Sequence, residues 1–360
     1  MTQQITVLIV EDSPVAQSLL VQMLNCDPLI KVAGVVESAE EAFTFISKIK
    51  PDVVILDFEL AGVDGLAFTQ TVMEQTPIPI ICVSSSETPD AASAFDLLEA
   101  GALAIIDKPV SCEPESDEVK ERLTSTVRAM ADVKLVRRRP AKPRSKALVT
   151  GERYAKLAEQ QAQFELIVIG ASTGGPAVLQ SILRRMPRDF PVPILVAQHI
   201  APGFLNGFVD WLRSTSRYPI EIARQNQRLE RGQAYVCPEG FQTSVTSDCR
   251  IRLTDDPPMH GVKPSVSYLF HSAAQAFGKN TVGVLLSGMG KDGAFELKSI
   301  RERGGATIAQ DAASSIVHGM PGEAIRIGAV GHVVHADRIA SLLVKLVTEG
   351  ERVSAGIRDN

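Results

Sequence analysis

The first third of the chain carries four short apolar runs, at residues 7–10, 53–56, 78–83 and 104–106. Between them lie longer stretches where apolar and polar positions mix. None of the runs alternates apolar with polar, which fits strands buried on both faces of a parallel sheet covered by helices. From 117 to 136, Val119, Leu123, Val127 and Met130 fall at helical spacing and predict a helix with one apolar face. The same alternation returns in the second half. Strand-like runs at 166–169, 193–197, 233–237, 281–286 and 307–309 are interleaved with helix-like segments at 178–185, 204–213, 265–277 and 292–303. This order predicts an α/β fold with a mostly parallel sheet in each half. Residues 220–260 interrupt it and read as an insertion of shorter, antiparallel strands. No internal repeat is found.

Between the two patterned regions, Arg137-Arg138-Arg139-Pro140-Ala141-Lys142-Pro143-Arg144-Ser145-Lys146 is basic, carries two prolines and lacks apolar periodicity, as an exposed linker does. Residues 152–163 are polar and helix-prone and predict a lead-in helix. The expected organisation is a domain over 1–125, a helix end and basic linker over 126–163, and a second domain over 164–350. A chain of 360 residues with 45% apolar and 22% charged residues can bury two cores.

Charge divides along the same line. Residues 1–125 carry a net −15 and residues 126–360 a net +10, which favours docking of the halves on one another. Aromatic content of 5% and the lack of a helix-turn-helix or RNA-binding motif argue against a nucleic-acid partner. No apolar run approaches the roughly 20 residues of a membrane span, and Met1-Thr2-Gln3-Gln4 does not start a signal peptide. The expectation is a cytoplasmic protein with no direct membrane insertion. Five cysteines without a CxxC pair fit reduced thiols.

Each N-terminal apolar run ends at a polar group: Glu11 and Asp12 after the first, Asp57 after the second, Ser84 after the third and Lys108 after the fourth. In a doubly wound parallel sheet the strand C-termini share one edge, where ligands bind. Carboxylates, a hydroxyl and an amine would converge there. Such a set suits Mg²⁺ held by Glu11, Asp12 and Asp57, with Asp57 phosphorylated and Ser84 and Lys108 on the phosphoryl oxygens.

In the second half, Leu166-Ile167-Val168-Ile169 runs into Gly170-Ala171-Ser172-Thr173-Gly174-Gly175. A serine with glycines two before and two after, at a strand-to-helix turn, fits a nucleophile elbow with backbone N–H groups beside the hydroxyl. A phosphate-cradling turn is the competing reading of that spacing. A serine nucleophile needs a base and an orienting acid. Among six histidines, His199 follows the neighbouring strand run and falls on the same sheet edge as Ser172. His260 and His318 lie in loops, His271 in a helix, and His332 and His335 near the final strand. For the acid, Asp292 in the glycine-rich Ser287-Gly288-Met289-Gly290-Lys291-Asp292-Gly293 and Asp311 after 307–309 both remain open. Asp292 is preferred because such a loop brings amides and a carboxylate together, against its alternative use as a helix N-cap.

These blocks, with Gln198-His199, Lys263-Pro264-Ser265-Val266 and Gln310-Asp311 through Met320-Pro321, resemble the chemotaxis protein-glutamate methylesterases of the response-regulator type. The resemblance implies a flavodoxin-like phosphoacceptor receiver with a doubly wound five-stranded parallel sheet, followed by an α/β-sandwich methylesterase domain. It further implies Ser172 as nucleophile, His199 as base, Asp292 as acid, and the Thr173 and Met289 N–H groups as oxyanion donors. The activity it implies is hydrolysis of glutamyl methyl esters on methyl-accepting chemotaxis receptors, with receptor glutamine deamidation beside it. A chemotaxis histidine kinase would be the phosphodonor, and the receiver an inhibitory lid released by phosphorylation. Ester hydrolysis itself would need no cofactor. The chain departs from the family pattern at Leu60-Ala61, Ile105, Arg231-Gly232, 239–242 and Ser267.

Overall fold

A computed structural model describes residues 4–84, 91–109, 116–131, 133 and 164–349. The basic linker, the lead-in helix at 152–163 and the side chains of Leu60 and Ala61 lie outside the described residues. The chain forms two compact units, each with its own sheet.

In the first unit, β1 (Ile5–Val10), β2 (Ile30–Val36), β3 (Val53–Asp57), β4 (Ile80–Ser84) and β5 (Ala104–Asp107) form one parallel sheet in the order β2-β1-β3-β4-β5. That is the flavodoxin-like order. The helices between them are α1 (Pro14–Asn25), α2 (Ala39–Lys48), α3 (Phe58–Gln75), α4 (Ala91–Ala100) and α5 (Ser116–Ala131). Helix α1 starts because Ser13 accepts from the Ala16 N–H and Pro14 opens the first turn. Strands β3 and β4 are buried at every position, as their unbroken apolar runs predict.

The second unit has seven parallel strands: β6 (Leu166–Ala171), β7 (Ile194–Gln198), β8 (Ile220–Ile222), β9 (Ala234–Val236), β12 (Thr281–Leu285), β13 (Ala306–Gln310) and β14 (His332–Val334). Their order is β14-β13-β12-β6-β7-β9-β8. A separate antiparallel ribbon joins β10 (Gln242–Val245) to β11 (Ile251–Thr254). The expected antiparallel insertion is therefore half right. The ribbon has that pairing, but β8 and β9 extend the main sheet in parallel.

Helices α6 (Gly175–Arg185), α7 (Leu205–Ser216), α8 (Val266–Phe277), α9 (Ala294–Glu302), α10 (Met320–Arg326) and α11 (Ala336–Glu349) complete this unit. Leu166, Val168 and Leu285 join Val266, Leu269, Phe270 and Leu297 in one core, so α8 and α9 cover that face of the sheet. Helices α6 and α11 pack on each other. The chain builds outward from β6 through β7 and later returns through β12 on the other side. The strand order thus reverses between β6 and β12, the place where parallel α/β sheets hold ligands.

Candidate active site

Ser172 leaves the end of β6, and its own N–H donates to the Ser287 carbonyl at 3.0 Å, tying the elbow to the loop after β12. The turn needs its glycines. Gly174 sits at φ +80°, and a Cβ there would lie 2.8 Å from both Ile316 Cβ and Ser287 Oγ. A Cβ on Gly170 would fall 2.2 Å from Val266 Cγ1, so the bare strand end is what lets the N-terminus of α8 come over β6. The His199 N–H donates to the Ala171 carbonyl at 2.9 Å, which brings the two strand ends into register.

That approach of α8 sets the surroundings of Asp292. Asp292 is 3% exposed, and its side chain receives the start of α8 instead of capping the helix after it. Oδ1 accepts from Ser265 Oγ at 2.8 Å and the Ser267 N–H at 2.9 Å; Oδ2 accepts from the Val266 N–H at 2.7 Å. His199 Nε2 lies 2.9 Å from Oδ2 and supplies the fourth bond. Helix α9 begins instead from Gly293 at φ +81°, so the N-cap reading of Asp292 does not apply. Burial would push the Asp292 carboxyl up, but the His199 hydrogen bond and charge, with the bonds from Ser267, bring it down to about 2. The helix N-terminus supports the same negative charge.

Asp311 stands apart from this group. Its Oδ1 accepts from the Ser314 N–H and Oγ at 2.9 and 2.6 Å. His271 bonds to Gln275 on the surface of α8, His318 to Ser315, and His335 lies beside Asp337. Among the described residues, His199 is the histidine seen against the buried carboxylate of Asp292. No hydrogen bond joins Ser172 Oγ to the imidazole among the described residues, so the structure brings His199 and Asp292 together and sets Ser172 on the adjacent strand end. Ser267 Oγ accepts from the Gly293 N–H at 2.8 Å and donates to Glu296 at 2.6 Å. A carboxylate at 267 would confront Glu296.

In the first unit the strand-end residues also converge. One oxygen from each of Glu11, Asp12 and Asp57 lies within 4.8 Å of the others, an all-oxygen donor set that fits a hard divalent cation. Lys108 Nζ lies 2.9 Å from Glu11 and 3.2 Å from Asp57, and the Lys108 backbone N–H donates to the Ser84 carbonyl at 2.8 Å. Burial pushes the Glu11 carboxyl up, opposed by Lys108 and the Ser13 N–H. Burial works against the Lys108 charge, but the Glu11 and Asp57 carboxylates outweigh it and hold the ammonium above its ordinary value. Ile105 pairs in register with Cys82 beside this cluster.

Comparison with known proteins follows the same division. Residues 167–343 match the family described as CheB methylesterase, and residues 7–119 match the response regulator receiver domain. Across 343 residues the chain is 44% identical to protein-glutamate methylesterase/protein-glutamine glutaminase 1 of Syntrophus aciditrophicus, covering 95% of this chain and 98% of that one. The chain belongs to this methylesterase family. The corresponding Nitrosospira multiformis protein is 42% identical over 358 residues, covering 98% and 99%. The crystal structure of the Thermotoga maritima CheB methylesterase catalytic domain matches with a TM-score of 0.50 at 33% identity, covering 51% of this chain and 99% of that one.

In this methylesterase-family chain, sequence reasoning did not anticipate Gln242, Ser265 and Ser287 as parts of the site. Gln242 Oε1 accepts from the Ser265 N–H at 2.9 Å, and Ser287 Oγ donates to the Thr173 carbonyl at 2.7 Å. A serine directly before the apolar run of α8 was a legible N-cap signal. That its hydroxyl would meet Asp292 was not.

Proposed function

We propose that this protein hydrolyses glutamyl methyl esters on methyl-accepting chemotaxis receptors, releasing methanol, and deamidates receptor glutamines at the same site. The observation that carries this reading is the partly buried His199, paired with the buried Asp292, on the strand end next to Ser172. Asp292 accepts from Nε2, so Nδ1 is left as the basic nitrogen. It takes the proton from Ser172 Oγ as the oxygen attacks the ester carbonyl. The two are not hydrogen-bonded in the resting site, and catalytic hydrogen bonds often form only with substrate in place. The Thr173 and Met289 N–H groups receive the oxyanion. Collapse breaks the carbonyl–methoxy bond, and the Nδ1 proton leaves with methanol. Water then attacks the acyl-serine by the reverse route and frees the glutamate. With glutamine the leaving group is ammonia.

The division at 1–125, 126–163 and 164–350 goes with this chemistry: receiver, linker and catalytic domain. Asp57 accepts the phosphoryl group from a chemotaxis histidine kinase in the cytoplasm. Glu11, Asp12 and Asp57 would hold Mg²⁺, which offsets negative charge at the phosphoryl oxygens when bound. Ser84 and Lys108 bind those oxygens. The receiver restrains the catalytic domain until it is phosphorylated, and a coupling of about 1–3 kcal/mol would change activity by about 5–150-fold. Methanol and ammonia release, measured on methylated and glutamine-bearing receptor fragments, tests the substrate assignment. Release of neither would overturn it.

A further inference from the structure

The two proposed oxyanion amides belong to peptide units whose carbonyls are held from behind. In a planar trans peptide, C=O and the following N–H point in opposite directions, and the one cis bond among the described residues is Lys263-Pro264. The Thr173 N–H shares its peptide with the Ser172 carbonyl. That carbonyl accepts from the Gly175 N–H at 2.8 Å and from Gln198 Nε2 at 3.0 Å. The Met289 N–H shares its peptide with the Gly288 carbonyl, which accepts from the Gly319 and Met320 N–H groups at 3.1 and 2.9 Å. The two units meet, since a Cβ on Gly288 would sit 2.8 Å from Ser172 Cβ.

Gln198 does more than grip one carbonyl. The same Nε2 donates to the His199 carbonyl at 2.8 Å, so one amide group links the backbones of Ser172 and His199. Its side chain is buried, and Oε1 has no hydrogen-bond partner among the described residues. Turning the amide over would aim that oxygen at two carbonyls, so the donor orientation is fixed. An unpartnered buried acceptor is rare in native proteins and calls for a reason. The approach also depends on Gly175, where a Cβ would lie 2.5 Å from Oε1.

We infer that Gln198 is a positioning residue for the oxyanion hole: by holding the Ser172 carbonyl it turns the Thr173 N–H toward the developing charge, as Gly319 and Met320 do for Met289. The inference rests on the serine-esterase reading above. It deepens that reading by naming what orients the donors.

The test uses the full chain with Gln198→Met, which keeps length and apolar bulk but cannot donate. Losing one oxyanion donor costs about 10²–10³ in kcat, so a kcat lower by about 10²-fold is expected with KM within about three-fold. Affinity for a glutamyl-peptide trifluoromethyl ketone, which Ser172 converts to a tetrahedral oxyanion adduct, should fall by a similar factor. A variant with the wild-type melting temperature and kcat within three-fold of wild type overturns the inference. So does a loss carried by KM, with ketone affinity unchanged. Should Gln198→Met not fold, amide NMR of the wild-type adduct decides. The Thr173 and Met289 N–H resonances should move downfield on adduct formation, and unmoved resonances overturn the inference. Failure of the underlying reading looks different: Ser172→Ala would retain turnover and wild-type protein would form no adduct.

Discussion

Replacing Asp292 by Asn removes one oxygen from a carboxylate that accepts four hydrogen bonds. Either placement of the new amide is wrong for one partner. With NH₂ at the Oδ2 position, it meets the Val266 N–H, and His199 Nε2 must become an acceptor. The proton then moves to Nδ1, the nitrogen that should be basic. With NH₂ at the Oδ1 position, the tautomer survives but the Ser267 N–H loses its acceptor. Stranding a buried N–H costs about 1–3 kcal/mol. The fall of the carboxyl from 3.8 to about 2 corresponds to about 2.5 kcal/mol of folded-state preference for the charged form. Together these set an expected destabilisation of about 2–3 kcal/mol, or about 4–12 °C in Tm for a unit of this size. The catalytic effect is larger: a base held in the wrong tautomer costs about 10⁴ in kcat in the serine-protease precedent. The assay is methanol release from methylated receptor by Asp292→Asn and Asp311→Asn, with melts of both. Asp311→Asn keeps an oxygen for Ser314 and should stay within a few-fold of wild type. An Asp292→Asn protein with more than a tenth of wild-type turnover, or a crippled Asp311→Asn, would refute the reasoning.

The depressed Asp292 carboxyl adds stability that is fully present above pH 4 and lost as pH falls toward 2, so urea melts should show the gap between wild type and Asp292→Asn closing over that range. Gly174→Ala should lower both Tm and turnover, because a side chain at φ +80° is strained by about 1–2 kcal/mol and meets Ile316 and Ser287; a wild-type melt would count against the tight turn. Radiolabel from a small phosphodonor should appear on wild-type protein only with Mg²⁺ and not on Asp57→Asn, and labelling that survives chelation would remove the cation from the account. A fragment beginning near residue 147 should outpace the unphosphorylated full chain, and one that is no faster rules out restraint by the receiver.

Strands buried on both faces were legible because they run apolar up to their C-terminal ends, as in β3, β4, β6 and β7. Strand β2 was not, since Lys31 and Gly34 break its run and most of its positions are only partly buried. Three-residue β8 carries too little pattern to declare a partner, and its parallel pairing with β9 is a tertiary choice. That Ser172 and His199 fall at one sheet edge was legible because strand ends of a parallel sheet share an edge. Asp292 and Asp311 could not be separated by spacing. What separates them is the seating of α8 on β6, which places three donors from residues 265–267 on a carboxylate more than twenty residues downstream. The imidazole nitrogen that faces the acid is likewise a matter of geometry. Ser267 shows the same limit: its fit to Glu296 appears only when α8 and α9 are packed.

The most direct test of the central claim is methanol release from methylated receptor by wild type and Ser172→Ala, assayed side by side with matched melts. The hydroxyl sits at a turn, where its loss should leave Tm nearly unchanged. Removal of a serine nucleophile costs up to about 10⁶ in rate. The expected result is a folded Ser172→Ala protein with no methanol above background; a folded variant that releases methanol at the wild-type rate contradicts a Ser172 nucleophile.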